Sequence, residues 1–223
     1  MKQAAELKER VLEAVRRTPS PLRSEAQHEA RRVLLATIAV ATTLFFAVDG
    51  VHHSLGRPHW FLAASLGLWG AVALLALRAA WRGGVTFGSG SLTSLATVIV
   101  GAPAVLLFAS LLLSRWDPAL MRLHPEQRSL HCFALTLAAA ACPLVGLSRV
   151  RRSSDPMHPV ASGSALGVAC GVCAGVMVDL WCPVAAPRHV LVGHILPMGV
   201  LALFGAALGA RVIAMRHRHR LSA

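Results

Sequence analysis

The sequence predicts an all-α polytopic membrane protein, a six-helix transmembrane bundle with a short cytoplasmic N-terminal amphipathic helix. Three observations predict it. Hydrophobic residues make up 55% of the 223 positions and charged ones only 14%, whereas a soluble domain carries about 25% charged residues. The mean hydropathy is +0.59, and the apolar residues come in blocks of ~20, the length at which a helix crosses the roughly 30 Å hydrocarbon layer. The basic residues gather in alternate connections between those blocks. This composition excludes a disordered chain, a secreted disulfide domain and an ordinary cytosolic enzyme.

Residues 1–32 come first and form the only cytoplasmic element of any size. In AAELKERVLEAVRR, Leu7, Val11 and Val15 recur one helical turn apart, with Leu12 adjoining the stripe. Glu6 and Arg10 form an i, i+4 pair of the favourable sense, worth ~0.2–0.5 kcal/mol. The result is an amphipathic helix of about four turns, too short to be strongly stable alone in water. The TPSP at 18–21 interrupts it, because proline cannot continue a helix interior. Ser24 caps the next stretch, with Glu25 in its first turn. The first helix can lie on the cytoplasmic leaflet or dock its stripe into a groove on a cytoplasmic partner. A narrow stripe without Trp or Phe favours docking, and marginal stability suits a segment that orders on binding.

Six spans follow at 33–51, 59–77, 92–113, 130–147, 160–180 and 190–210, together a transmembrane domain over 33–210. An even number puts both termini on one side. That side holds 17 of the 22 basic residues: eight before the first span, Arg78 and Arg82, then Arg149, Arg151 and Arg152, then four in the tail over 211–223. The opposite side has Arg57, Arg115, Arg122, Arg128 and Arg188. The positive-inside rule makes both termini cytoplasmic in a bacterial inner membrane. The net charge of +12 is therefore topogenic, with attraction to anionic membrane lipid as a second effect. Direct nucleic-acid binding is not expected.

Polar ligands collect at the periplasmic level. Asp49 and Asp179 stand at the outer ends of the first and fifth spans, where a carboxylate needs a reason. His131 and Cys132 open the fourth span, Cys182 and His189 lie in the third outer loop, and His194 sits one turn into the sixth span. Thiolate, imidazole and carboxylate are the donors for zinc, copper or haem iron, so this group is the candidate sensing or metal site. His189 and His194 are five apart and would face different sides of an α-helix. Only tertiary convergence can make them joint ligands. Gly163, Gly167, Gly171 and Gly175 recur every four residues as a small-residue packing face, and the CxxC of Cys170 and Cys173 falls inside it. Packing rather than redox chemistry accounts for that pair.

From Cys132 onward the chain resembles the NrsF-type family of six-span bacterial inner-membrane anti-sigma factors. The likeness rests on Pro156, Pro159, the four glycines, the Cys182–Pro183 pair, and Gly205, Gly209 and Arg211. Within the family, the CarR-type light-responsive regulators of myxobacterial carotenoid synthesis are the nearest analogue. The resemblance implies a membrane-bound anti-sigma factor that holds an extracytoplasmic-function (ECF) sigma factor through its N-terminal segment and releases it on a stress or light signal. A small transporter or a metal- or redox-sensing membrane protein is the alternative. No charged residue lies near the middle of any span, which counts against transport. No HExxH or nucleotide-binding loop occurs, so an enzyme is not expected.

Overall fold

The computed structural model describes residues 9, 13, 23–47, 59–82, 90–116, 129–151, 158–182, 184 and 186–213. Among them there are helices and no strand. α1 is Arg23–Ala47 and α2 is His59–Arg82. α3 runs from Gly90–Ala96 through a π-helical turn, Thr97–Gly101, into Ala102–Trp116. α4 is Ser129–Arg151 and α5 is Pro159–Trp181. α6 starts at Pro187–Val190, passes through a π turn at Leu191–Ile195, continues as Leu196–Leu208 and ends in a second π turn, Gly209–Ile213.

Five stretches are long and apolar enough to cross a membrane: Leu62–Trp81, Leu92–Leu112, Ser129–Arg151, Pro159–Trp181 and Pro187–Ile213. They match the second to sixth spans expected from the sequence. α1 carries Glu25, Glu29, Arg31 and Arg32 in its first half and covers the expected first span only to Ala47; residues 48–51 lie outside the described set. The exterior is apolar, with Val100, Phe108, Leu203 and Phe204 between 62% and 73% exposed. A water-soluble bundle would cover such a belt; a lipid-facing one need not.

α5 is the hub. Of its apolar window 67% is buried, against 17% for that of α2, and it packs on α2, α4 and α6. Its glycines explain how. A Cβ built on Gly163 would overlap the Gly205 carbonyl, one on Gly167 the Leu201 carbonyl, and one on Gly209 the Pro159 carbonyl. α5 and α6 therefore cross backbone to backbone. Gly171 meets the Met198 and Leu201 side chains, but Gly175 lies against the Trp69 ring of α2. The four glycines thus do not share one partner. Each four-residue step drifts about 40° around a helix with 3.6 residues per turn, so the row winds from α6 onto α2. Next to Gly175 on the same seam, the Ser65 hydroxyl donates to Asp179 Oδ2 at 2.6 Å.

Two of the three π turns, Thr97–Gly101 and Leu191–Ile195, have a sequence cause. Pro103 follows one and Pro197 follows the other. A proline has no N–H to give the carbonyl four residues back and clashes with it, and a widened turn relieves both problems. At the end of the bundle opposite Asp179, Arg151 is buried. Its guanidinium donates to the carbonyls of Ala80 and Trp81, the latter at 3.2 Å, and lies 5.6 Å from the Trp81 ring centroid. A residue that the sequence assigns to a topogenic cluster is thus also the C-terminal cap of α2.

Candidate metal centre

Four buried side chains converge at the Asp179 end of the bundle: Cys132, Cys182, His189 and His194. Cys132 lies in the first turn of α4, where Thr136 one turn on shares its hydroxyl between the Cys132 carbonyl at 2.9 Å and the Gly193 carbonyl of α6 at 3.4 Å. Pro197, which has no N–H, leaves the Gly193 carbonyl without its usual α-helical donor. Gly193 also sets the spacing, since a Cβ there would come within 3.1 Å of the Cys132 Cβ. Cys182 closes α5 in extended conformation (φ −82°, ψ 117°), its N–H donating to the Val178 carbonyl at 2.8 Å. Leaving the helix there turns its sulfur toward the histidines.

The two histidines meet because of the π turn. In an α-helix, residues five apart are separated by about 140° of rotation. A π-helix bonds i to i+5, so such residues come back to nearly one face. His189 precedes the turn at Leu191–Ile195 and His194 lies in it, and their ring centroids are 5.5 Å apart. Five-residue spacing, which argues against joint ligation on an α-helix, favours it here.

The one ligand atom from each of the four residues lies within 4.8 Å of the other three. In a tetrahedral site with metal–sulfur bonds of ~2.3 Å and metal–nitrogen bonds of ~2.0–2.1 Å, ligand atoms stand about 3.3–3.8 Å apart. The set therefore has the chemistry of a Cys2His2 site and comes within about 1 Å of its size. Cys182 Sγ is 3.0 Å from His189 Nε2. The thiol of Cys182 is pushed down to about 2 by hydrogen bonds, first from Cys132 and then from His189 and His194, while burial pulls the other way. A sulfur held as thiolate is a soft ligand and a nucleophile. The buried Nδ1 of His194 has no hydrogen-bond partner, as expected of a donor set with capacity to spare.

Behind the ligands stands a second layer. Ser129 Oγ is 3.0 Å from His189 Nδ1. In the tautomer that carries its proton on Nε2 and points it at Cys182 Sγ, Nδ1 accepts from the serine. Were Nε2 instead to bind a cation, Nδ1 would carry the proton and donate to the same oxygen. A hydroxyl serves in both directions. Trp69 tilts against His194 with ring centroids 5.9 Å apart. Sequence reasoning missed Ser129, Gly193, Trp69 and Thr136; the signal that was available is Pro197, which announces the π turn.

Of the residues expected at a sensing site, Asp179 belongs to the α2–α5 seam through Ser65, and exposed His131 lies tilted against Trp181 with centroids 5.2 Å apart. Asp49 lies outside the described residues, as do Leu7, Val11, Leu12 and Val15 of the expected partner-binding stripe. Cys132 and Cys182 are not joined in a disulfide. Cys170 and Cys173 are also free and sit in the α5 core.

The sequence model of the family NrsF, negative regulator of sigma F, matches residues 15–214. The chain belongs to the NrsF family. Membership makes a sigma factor its partner and negative regulation its role, and it agrees with the resemblance carried by the glycine row and the Cys182–Pro183 pair. No curated protein and no solved structure matches this NrsF-family chain.

Proposed function

We propose that this NrsF-family protein is an anti-sigma factor of the bacterial inner membrane, with six spans and both termini cytoplasmic. Its N-terminal segment, over 1–32, holds an ECF-type sigma factor through Leu7, Val11, Leu12 and Val15. The Cys2His2 group at the periplasmic end receives the signal. One observation supports this reading of the trigger: four buried soft donors from α4, the end of α5 and α6 come within one ligand sphere. Binding a thiophilic metal ion, or oxidising the two thiols, changes the attractions among these three elements and so biases the packing of the bundle. Of a stress and a light signal, this chemistry favours a chemical stress. The stripe at 7–15 then carries the output.

The test is a reporter driven by the partner sigma factor in cells. Removing residues 1–17 should give constitutive transcription with normal membrane insertion. Cys132→Ser and His194→Ala should keep repression but abolish induction by thiophilic metal salts or thiol oxidants. Full induction in both ligand variants would exclude the centre as receiver, whereas intact repression without residues 1–17 would exclude the proposed docking segment.

A further inference from the structure

Away from the Cys2His2 group, at the Arg151 end of the bundle, a groove of 370 Å³ opens between α1, α2 and α4. Leu34, Leu74, Trp81 and Leu147 are among its apolar walls, and among the described residues Arg31 and Arg78 supply its only charges. Both arginines are exposed, and among the described residues neither has an ion-pair partner. We propose that this groove seats one anionic phospholipid, its phosphate held by Arg31 and Arg78 and an acyl chain lying along the leucines and Trp81.

Three features argue for that occupant. The lining pairs a cationic mouth with an apolar wall, which complements a molecule that is anionic at one end and hydrocarbon at the other. Two guanidinium forks can each give paired hydrogen bonds to phosphate oxygens. The end of α2 would ordinarily repel an anion, because a helix C-terminus carries partial negative charge from its free carbonyls. Here Arg151 takes the Ala80 and Trp81 carbonyls. This cap removes the repulsion one turn from Arg78 and leaves that side chain to an outside ligand. The seat would be formed in part by α1, the helix that continues from the amino-terminal segment, so its occupancy can influence how that helix packs.

The experiment uses the purified full chain in neutral detergent, with phosphatidylglycerol, phosphatidylcholine or inorganic phosphate added, and follows lipid retention by native mass spectrometry and the thermal unfolding midpoint. Phosphatidylglycerol should be retained at one molecule per chain and raise the midpoint; phosphatidylcholine should do neither. A rise with inorganic phosphate equal to that with phosphatidylglycerol would overturn the lipid assignment. The R31Q/R78Q variant should bind phosphatidylglycerol roughly 30-fold more weakly, the factor for two arginines at a membrane surface. R211Q, which removes an exposed arginine of α6 that does not line the groove, should bind as the parent does. Equal weakening in both variants would mean diffuse charge attraction and would sink the proposal. If the double variant fails to fold, R31Q and R78Q singly should each lose roughly fivefold, and no loss in either overturns it. The outcome is independent of whether the Cys2His2 group binds metal.

Discussion

Replacing Gly163 by alanine tests the crossing on which the bundle turns. The added Cβ would overlap the Gly205 carbonyl carbon and oxygen, and the obstacle is backbone, which cannot rotate away as a side chain can. Restoring ordinary contact at about 3.5 Å requires α5 and α6 to part by about 1 Å or more. That separation also loosens the neighbouring approaches at Gly167 and Gly209. Overpacking of this kind costs about 1–3 kcal/mol. Alanine regains roughly 0.5–1 kcal/mol of helix preference over glycine, so the measured loss in Gly163→Ala alone understates the clash. Gly199→Ala supplies the reference, because it lies in the same helical pair and a Cβ there meets nothing within 4 Å. The preference gain is common to both variants. Their difference should therefore be about 1–3 kcal/mol, with Gly163→Ala the less stable. Tryptophan fluorescence during SDS-induced unfolding in mixed micelles would measure it. Equal midpoints for the two variants would refute the close crossing.

Other outcomes follow from the remaining contacts. Ser129→Ala should leave the four ligands in place but weaken metal binding roughly 10- to 100-fold, the effect of removing an outer-shell partner; competition against a chelator of known affinity checks it. Arg151→Met should destabilise the protein by ~2–4 kcal/mol, since two hydrogen bonds from a charged donor disappear and two carbonyls lose their partner. The same unfolding assay reads that loss, and the stability of the parent would contradict the capping role of Arg151.

The fold class was legible because a bilayer imposes a length and a composition on each span, and both are one-dimensional properties. The second to sixth spans were accordingly placed to within a few residues. The glycine row was legible as a packing surface, but its division between α6 and Trp69 was not, because drift around a helix matters only when two partners are present. For the site, residue types and membrane level were enough to place Cys132, Cys182, His189 and His194 among the candidates. They were not enough to separate these from His131 and Asp179, which differ only in the direction they face from helices already placed. Arg151 shows the opposite failure. Its position beside Arg149 and Arg152 reads as topology, and nothing local reveals that two carbonyls from residues some seventy positions earlier await it.

The π turn at Leu191–Ile195 has a genetic consequence. Such a turn is equivalent to one extra residue inserted into an α-helix, and here that extra residue is what brings His189 and His194 into phase. Deleting one of Leu191 or Val192 would let the segment wind as plain α-helix, leaving the histidines four apart and still on a common side, though the Gly193 carbonyl could no longer be offered to Thr136 in the same way. Keeping the count while straightening the turn would instead swing the His194 imidazole out of phase with His189. Within this stretch, a single-residue deletion should therefore be tolerated better than substitutions that abolish the bulge.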